Sequence, residues 1–452
     1  MNGNITEDGI AKDMAWMKRV GIGGMQNFDA SLMTPQIVDK RLVYMTPEWK
    51  HAFHFAASEA DRLGLELAIA ASPGWSETGG PWVPPEDGLK KLVWSETLAM
   101  GGKRFTSKLA PPPSVTGPFQ SLVPDSGGLG ALLGGETKVP PQHYGEVKVL
   151  AFPVAAGSGL VPVAVRDGLG KAFDPAGLGD SDLAKGIDIA RGDKNNNPML
   201  VLDYGKAVTA RTITLYAPGA ALMFVGALYS PRLEASDNGS DWHKVIDLET
   251  ATTTATFAFA PTTARYFRLE FVPRKGIGLN MGTPAPGLAM DMDFVENMGK
   301  AMLGKPLTVG DLRLFGETRI DRFETKAGFA IAQDYYALTN PADGAAGITP
   351  ASVIDLTSRM KPDGTLDWTP PKGQWRVLRL GYSLLGTTNH PAPPEATGLE
   401  VDKFDGPAVR RYLEHYIGMY KDASGGLIGG HGVRALLTDS IEVGAEIGRA
   451  HV

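Results

Sequence analysis

The sequence lacks cysteine, and it also lacks long apolar runs and basic clusters. Without cysteine the chain has no disulfide, no thiolate metal ligand and no cysteine nucleophile. No stretch approaches the roughly 18 consecutive apolar residues of a membrane-spanning helix. The net charge of -6 and the absence of a basic run give no electrostatic footprint for nucleic acid or for an anionic membrane surface. The composition therefore favours a protein that acts on neutral or small polar molecules.

The rest of the composition is typical of a folded globular chain. Hydrophobic residues make up 43% and charged residues 21% of the 452 residues, which permits a sizeable core. This length predicts two or three structural units, or one barrel that carries insertions.

The beginning of the chain alternates helix and strand patterns. The spacing of apolar residues predicts helices over 6–21 and 46–64, and buried strands over 23–29 and 65–71. Short connections between alternating helices and strands indicate a parallel sheet, and a barrel is the commonest form of such a sheet in sugar enzymes.

Polar residues at the carboxyl ends of these strands are candidates for a binding site. Asn27 and Asp29 end the first strand, although both residue types also suit the cap of a turn. The loop after the second strand contains Trp75, Glu77 and Trp82, and tryptophan rings suit stacking on a sugar. The same loop also fits a structural lid that packs its own aromatic side chains.

The middle of the chain changes character. We expect residues 1–109 to form the first part of a barrel, with a helix over 89–98, and a Pro/Gly-rich linker to follow at 110–145. Short alternating segments with turn residues over 146–320 predict an inserted β-sandwich. Residues 321–445 return to the helix and strand pattern of the barrel.

Two segments of the insertion, 233–239 and 264–269, resemble galactose-binding-like domains of the discoidin type. That fold is widespread and often has only a structural role. The predicted fold class is therefore α/β, with a partial (β/α)8 barrel interrupted by a β-sandwich of the galactose-binding-like jelly-roll type.

Acidic residues near the end of the chain are candidates for catalysis. A predicted strand over 435–438 is followed by Asp439 and Glu442, and glycoside hydrolysis ordinarily needs two carboxyl groups at the anomeric carbon. An acid just after a strand is also a common N-cap for the next helix. A helix over 405–420 precedes this strand, with an inner face formed by Val409, Leu413, Tyr416, Ile417 and Tyr420.

A second acidic segment contains Glu400, Asp402 and Lys403. The two acids alternate with apolar residues, so they fit a half-exposed strand with solvated carboxylates as well as a site. Lys403 then simply pairs with them.

Several segments in one order make the chain resemble the α-L-rhamnosidases of glycoside hydrolase family 106. They are Met1–Thr6, Gly21–Asp29, Ser72–Trp82, Lys91–Glu96, Gly398–Lys403 and Leu437–Glu442.

The resemblance implies inverting hydrolysis of α-L-rhamnosides on a (β/α)8 barrel with β-sandwich domains. It implies that Glu442 is the general acid, although Ile441 stands where this motif commonly has an aromatic residue. The base carboxylate, roughly 6.5–9.5 Å from the acid in inverting enzymes, is expected downstream of this chain. The residues expected to contact the sugar are Asn27, Asp29, Trp75, Glu77, Trp82, Glu400, Asp402, Lys403 and Asp439.

The resemblance also implies a calcium ion at the sugar. Calcium takes oxygen ligands, so Glu400, Asp402 and Asp439 are chemically eligible. No ligand spacing in the sequence assigns them. The partner is a rhamnose-containing glycan or glycoside, and we expect the full-length bacterial protein to be periplasmic or secreted.

Two other functions remain open. A non-catalytic carbohydrate-binding protein would bind glycans through the β-rich insertion, and a barrel glycosidase of the β-galactosidase type would act on another sugar. Residues 446–452 match the translation of a common sequencing adapter, so we expect a fragment that is inactive and poorly soluble.

Overall fold

The computed structural model describes residues 3–31, 35–123, 140–154, 159–179, 182–183, 185–190, 197–222, 226–251, 253–274, 306–330, 336, 338, 348–439 and 441. Over these residues the chain has a mixed α/β fold with many strands and few helices. No helix in this part of the chain is long and apolar enough to cross a membrane.

The helices in the described ranges are α1 (Glu7–Val20), α2 (Pro47–Leu63), α3 (Phe323–Lys326) and α4 (Gly406–Ala423). The strands, in chain order, are β1 (Gly24–Asn27), β2 (Glu66–Ala70), β3 (Lys90–Met100), β4 (Phe105–Lys108), β5 (Tyr144–Val154), β6 (Ala164–Asp167), β7 (Ala172–Phe173), β8 (Ile187–Ile189), β9 (Met199–Tyr216), β10 (Ala221–Leu222), β11 (Gly226–Ala227), β12 (Tyr229–Ser236), β13 (His243–Asp247), β14 (Ala255–Pro273), β15 (Leu307–Val309), β16 (Asp311–Phe315), β17 (Ile354–Asp355), β18 (Thr365–Trp368), β19 (Gln374–Leu384) and β20 (Val433–Leu437).

The first two helices have the end signals that the sequence predicts. The Thr6 hydroxyl accepts a hydrogen bond from the Gly9 amide at the start of α1, and Thr46 caps α2 in the same way. Both helices end at a glycine in the left-handed conformation, Gly21 with φ 86° and Gly64 with φ 64°. Glycine adopts this conformation without a steric penalty, so each helix ends where the pattern predicts.

A three-stranded parallel sheet has the order β1-β2-β20. Helix α2 connects β1 to β2, and α4 precedes β20. The aromatic side chains of α2 and α4 pack beneath this sheet, with Trp49 and Tyr416 fully buried. Neighbouring strands are therefore parallel, in chain order, and joined through helices, as in βα units.

A four-stranded antiparallel sheet has the order β17-β5-β19-β3. Its strand β3 corrects the prediction of a helix over 89–98. All eleven residues of β3 pair with β19, from Met100 opposite Gln374 to Lys90 opposite Leu384. The long cross-strand pairing and the β-branched and aromatic residues of this segment outweigh its local helix pattern.

The Pro/Gly-rich segment predicted to be a linker also packs against β3. Phe119 is buried against the Trp94 ring, with the ring centroids 5.8 Å apart. The Gln120 side chain accepts from the Trp94 amide and donates to the Trp94 carbonyl. Residues 124–139 of that segment lie outside the described ranges.

A seven-stranded sheet has the order β13-β12-β14-β9-β6-β7, with β16 also paired to β9. The long strands β9 and β14 form its centre, and their inward side chains, including Leu202, Phe267 and Leu269, build a separate hydrophobic core. The buried Glu324 of α3 fastens this helix to β14, because its carboxyl accepts from the Thr256 amide and from the Thr254 and Thr256 hydroxyls.

A network of ion pairs joins the four-stranded sheet to the segment that follows β16. Arg376 of β19 lies 3.0 Å from both Glu96 of β3 and Glu317. Arg319 lies 3.1 Å from Glu317 and covers the Phe315 ring at 3.8 Å. The exit from the seven-stranded sheet is therefore held against the second sheet by fixed charges.

Candidate active site

The carboxyl ends of the three parallel strands lie at one edge of their sheet. Asn27 at the end of β1 is opposite Ile69, and Ala70 at the end of β2 is opposite Leu437 at the end of β20. Segments that follow these residues contain candidates predicted from the sequence. This edge is where α/β sheets ordinarily place binding and catalytic groups.

Asn27 and Asp29 form a hydrogen-bonded pair just beyond β1. The Asn27 Nδ2 donates to Asp29 Oδ2 over 2.8 Å, and the Tyr420 hydroxyl donates to the same oxygen over 2.9 Å. Burial raises the pKa of Asp29, and the hydrogen bonds from Tyr420 and Asn27 partly oppose that rise. The two predicted residues are therefore brought together by the fold.

The loop after β2 is fixed to the segment before α4. The Ser72 hydroxyl donates to the Ser76 carbonyl over 2.6 Å, and the Ser76 hydroxyl accepts from the His390 amide over 3.0 Å. The Thr78 hydroxyl accepts from the Val401 amide. The bonds from the His390 and Val401 amides cross between distant parts of the chain, so they hold the loop at the edge of the sheet.

The two tryptophans of this loop have different environments. Trp75 is 37% exposed, and its amide donates to the His390 carbonyl. Trp82 is partly buried and packs against the rings of His415 and Tyr416 at 5.6 and 6.1 Å. Trp75 thus retains a surface for stacking. Trp82 instead packs on α4, in line with the alternative in which the loop packs its aromatic side chains. Glu77, between them, is partly buried.

Glu400 and Lys403 form a buried ion pair. Their side chains are 1% and 6% exposed, and Lys403 Nζ lies 2.5 Å from Glu400 Oε2. The other carboxylate oxygen, Oε1, is buried without a hydrogen-bond partner. Burial raises the pKa of Glu400, and Lys403 acts against the rise. An acceptor left without a donor in the protein is suited to a hydroxyl from a ligand or water.

Asp402, two residues after Glu400, has a different lysine as its partner. Its carboxyl is fully buried, lies 3.4 Å from Lys90 Nζ, and accepts from the Phe404 amide. The partner of Asp402 is therefore Lys90 of β3. The prediction of solvated acids on a half-exposed strand is wrong for both Glu400 and Asp402, because each is buried with a lysine.

Asp439 follows β20 and is exposed at the edge of the sheet. Glu442, expected to be the general acid, lies outside the described residues, as does the segment 446–452. The structure thus gathers Asn27, Asp29, the loop with Trp75, and Asp439 around the strand ends.

The model of the glycoside hydrolase 106 family, described as alpha-L-rhamnosidase, matches residues 1–448 of this chain. The chain belongs to the glycoside hydrolase 106 family. It is 56% identical to the rhamnosidase from Novosphingobium sp. PP1Y, whose structure superposes with a TM-score of 0.82 over 98% of this chain and 38% of that one. It is also 24% identical to a protein of Formosa agariphila named putative beta-glucuronidase, over 98% of this chain and 22% of that protein. The chain therefore spans well under half the length of either relative.

The calcium ion implied by the family would need several oxygen ligands close together. In the described ranges, no group of three or more histidine, aspartate or glutamate side chains is arranged to hold a metal ion. Asp402 is already occupied by Lys90, and Glu400 by Lys403. We therefore assign no calcium ligand among the described residues and no step to the ion.

Three tyrosines lie on the buried face of α4, of which Tyr416 and Tyr420 were predicted there and Tyr412 was not. The helix buries Tyr412, Tyr416 and Tyr420, whereas Ile417, expected on the inner face, is 39% exposed. The Tyr412 and Tyr416 hydroxyls donate to the carbonyls of Ala71 and Ala70, over 2.7 and 2.9 Å. The spacing of four residues between the tyrosines is the signal that places all three on one helix face.

Proposed function

We propose that the complete protein is an inverting α-L-rhamnosidase that removes terminal α-L-rhamnose from a glycoside or polysaccharide. The observation that carries this proposal is the meeting of Asn27, the Trp75 loop and Asp439 at the carboxyl edge of a parallel sheet, in a chain that belongs to family 106. Such an edge is the usual position of a sugar site in barrel enzymes.

Glu442 is the proposed general acid. It protonates the glycosidic oxygen as the bond to the anomeric carbon breaks, while a second carboxylate removes a proton from water. The water oxygen then bonds to the anomeric carbon from the opposite face. The base is expected in the part of the protein that follows this chain. Asp439, three residues before Glu442 in the sequence, supports the assignment by its position at the strand end.

The proposed substrate contacts use side chains near the strand ends. Trp75 offers an exposed indole for stacking on the sugar ring. Glu400 Oε1 offers a buried acceptor without a partner, and the neighbouring Lys403 balances its charge. Asn27 offers a carboxamide at the strand end. Asp402, in the same segment as Glu400, is paired with Lys90. Trp82 and Glu77 complete the loop around Trp75.

We propose further that β1, β2 and β20 are an arc of a (β/α)8 barrel, and that the seven-stranded sheet belongs to an inserted galactose-binding-like β-sandwich. The parallel order of neighbouring strands supports the first part. A structure of the complete protein tests it, since the next strand of the chain must pair with the second edge of β20. Pairing of that edge with any other element contradicts the barrel.

The test of function uses the complete gene product and p-nitrophenyl α-L-rhamnoside, with the β-D-glucuronide and β-D-galactoside as competing substrates. Glu442→Gln should abolish hydrolysis of the rhamnoside. Glu66→Gln is the matched control, because Glu66 is an exposed acid at the amino end of β2. Full activity of Glu442→Gln would refute the assignment of the acid. Hydrolysis of only the glucuronide or the galactoside would change the proposed substrate to that sugar. Binding without hydrolysis would favour a carbohydrate-binding protein.

Calcium and location are separate parts of the proposal. Loss of activity in chelator, restored by calcium, is expected if the ion holds the sugar hydroxyls. If activity survives exhaustive chelation, calcium is not part of the site, and the assignment of Glu442 as the general acid is unaffected. Fractionation of a bacterial source should recover the enzyme from the periplasm or the medium, because its glycan substrate is outside the cell.

A further inference from the structure

One aspartate oxygen connects helix α4 to the end of strand β1. Asp29 Oδ2 accepts one hydrogen bond from Tyr420 and one from Asn27, over 2.9 and 2.8 Å. The Tyr420 hydroxyl and the Asn27 Nδ2 are both donors to this oxygen. Both hydrogen bonds therefore point toward Asp29.

The orientation of the Asn27 carboxamide follows from this bond. Its Nδ2 must face Asp29, because a flipped amide would place two acceptor oxygens against each other. The amide is planar, so its Oδ1 is turned to the other side of the group. Asn27 is partly buried at the end of β1, where Oδ1 is offered as an acceptor at the edge of the sheet.

Tyr420 is a rigid donor for this arrangement. Its side chain is fully buried, and the Phe53 and Trp49 rings meet it edge to face at 5.1 and 6.0 Å. Burial raises the pKa of the Tyr420 hydroxyl well above its ordinary value, so the hydroxyl keeps its proton. The Tyr44 and Tyr416 hydroxyls lie 3.4 and 3.5 Å from it and complete its surroundings.

We propose that Asp29 and Tyr420 are positioning residues that lock the Asn27 carboxamide, so that Asn27 Oδ1 accepts a hydrogen bond from a hydroxyl group of the bound sugar. This rests on the proposed function of the complete protein. It differs from the prediction that Asp29 itself contacts the sugar. Here the carboxyl of Asp29 acts through its hydrogen bonds to Asn27 and Tyr420, and the Trp49 side chain also hydrogen-bonds to it.

The test measures kcat and KM of the complete gene product on p-nitrophenyl α-L-rhamnoside. Tyr420→Phe keeps the packed ring and removes one donor, and we expect KM to rise roughly five- to tenfold, the effect of losing one ordinary hydrogen bond to the sugar. We expect kcat to change little, because the lost interaction is made to bound substrate and transition state alike. Tyr412→Phe is the matched control, since that hydroxyl donates only to main-chain carbonyls.

Asparagine at position 29 separates hydrogen bonding from charge. The Oδ1 of an asparagine can accept the same two hydrogen bonds. The KM of Asp29→Asn should therefore be close to that of the wild type, whereas the KM of Asp29→Ala should be higher. The double variant Asn27→Ala/Tyr420→Phe should match Asn27→Ala alone, because Tyr420 acts through Asn27. Melting temperatures of all variants separate these effects from a general loss of stability.

Any one of three results overturns the proposal. They are an unchanged KM in Tyr420→Phe, an equal rise in KM in Asp29→Asn and Asp29→Ala, or a rise in KM in the double variant that equals the sum of the two single effects. A wild-type enzyme that hydrolyses no rhamnoside refutes the proposed function separately. Calorimetry with L-rhamnose then decides the positioning role. Weaker binding of L-rhamnose by Tyr420→Phe than by Tyr412→Phe supports the positioning role. The role is refuted if both variants and the wild type bind L-rhamnose equally, or if none of them binds it.

Discussion

The buried pair of Lys90 and Asp402 should make a large contribution to stability that depends on both partners. Their side chains are 2% and 0% exposed, and Lys90 Nζ lies 3.4 Å from Asp402 Oδ2. Lys90 also donates to the Gly88 carbonyl over 2.8 Å, and Asp402 Oδ1 accepts from the Phe404 amide over 3.0 Å. Replacing Lys90 by methionine preserves the volume and leaves the Asp402 carboxylate buried without its cation.

The expected magnitude follows from that uncompensated charge. Breaking a buried ion pair by removing one partner typically costs about 3–5 kcal/mol, whereas removing both charges costs far less. Lys90→Met should therefore lower the free energy of unfolding by about 3–5 kcal/mol. The double variant Lys90→Met/Asp402→Asn should regain most of this loss, because asparagine still accepts from the Phe404 amide.

Urea denaturation of the complete gene product measures these differences. The exposed pair Lys148–Asp355 is the control, with side chains 52% and 51% exposed and an N–O distance of 3.1 Å, and Lys148→Met should cost at most about 1 kcal/mol. A loss below about 1 kcal/mol in Lys90→Met, or no recovery in the double variant, would refute the reasoning.

Three further variants test other buried groups. Burial lowers the pKa of the Lys91 ammonium from 10.5 to about 7, so the folded chain releases this proton at a lower pH than the unfolded chain. The free energy of unfolding should therefore rise as the pH increases from about 7 to 10.5. Lys91→Met should remove that rise, as measured by the urea midpoints. Burial raises the pKa of Glu324 above 4.5, so stability should fall as the pH rises past this value, and Glu324→Gln should flatten the fall. Gly80→Ala places a methyl group 2.3 Å from the Trp82 ring at φ 150°, which should cost about 1–3 kcal/mol and lower the melting temperature. Unchanged pH profiles in the first two variants, or an unchanged melting temperature in the third, contradict these expectations.

Local signals predicted the helices well. Helix α1 lies between Thr6 and Gly21, and α2 lies between Thr46 and Gly64. These ends were predictable because capping side chains and left-handed glycines act within one turn of the helix. The strands that end in the site were equally visible, since short apolar runs between helices leave few alternatives. The convergence of their carboxyl ends then follows from parallel pairing.

Features that depend on distant partners were not predicted. Strand β3 was interpreted as a helix because its apolar spacing permits both structures, and only its pairing with β19 decides between them. The burial of Asp402 depends on Lys90, which is far away in the sequence. On α4, Tyr416 and Tyr420 were predicted on the inner face, but Tyr412 was not, because tyrosine is less hydrophobic than the neighbouring Val409 and Leu413. Ile417 was predicted there and is 39% exposed. Tertiary contacts override local preference in each case.

The strand order of the four-stranded sheet has a consequence for synthesis of the chain on the ribosome. Its strands β3 and β5 are made before residues 155–373, and β19, which lies between them, is made afterwards. Until β19 emerges, both earlier strands have unpaired edges that are open to association with other nascent chains. Slow translation across the seven-stranded sheet should therefore increase aggregation, and chaperones that cover strand edges should be needed most during that interval.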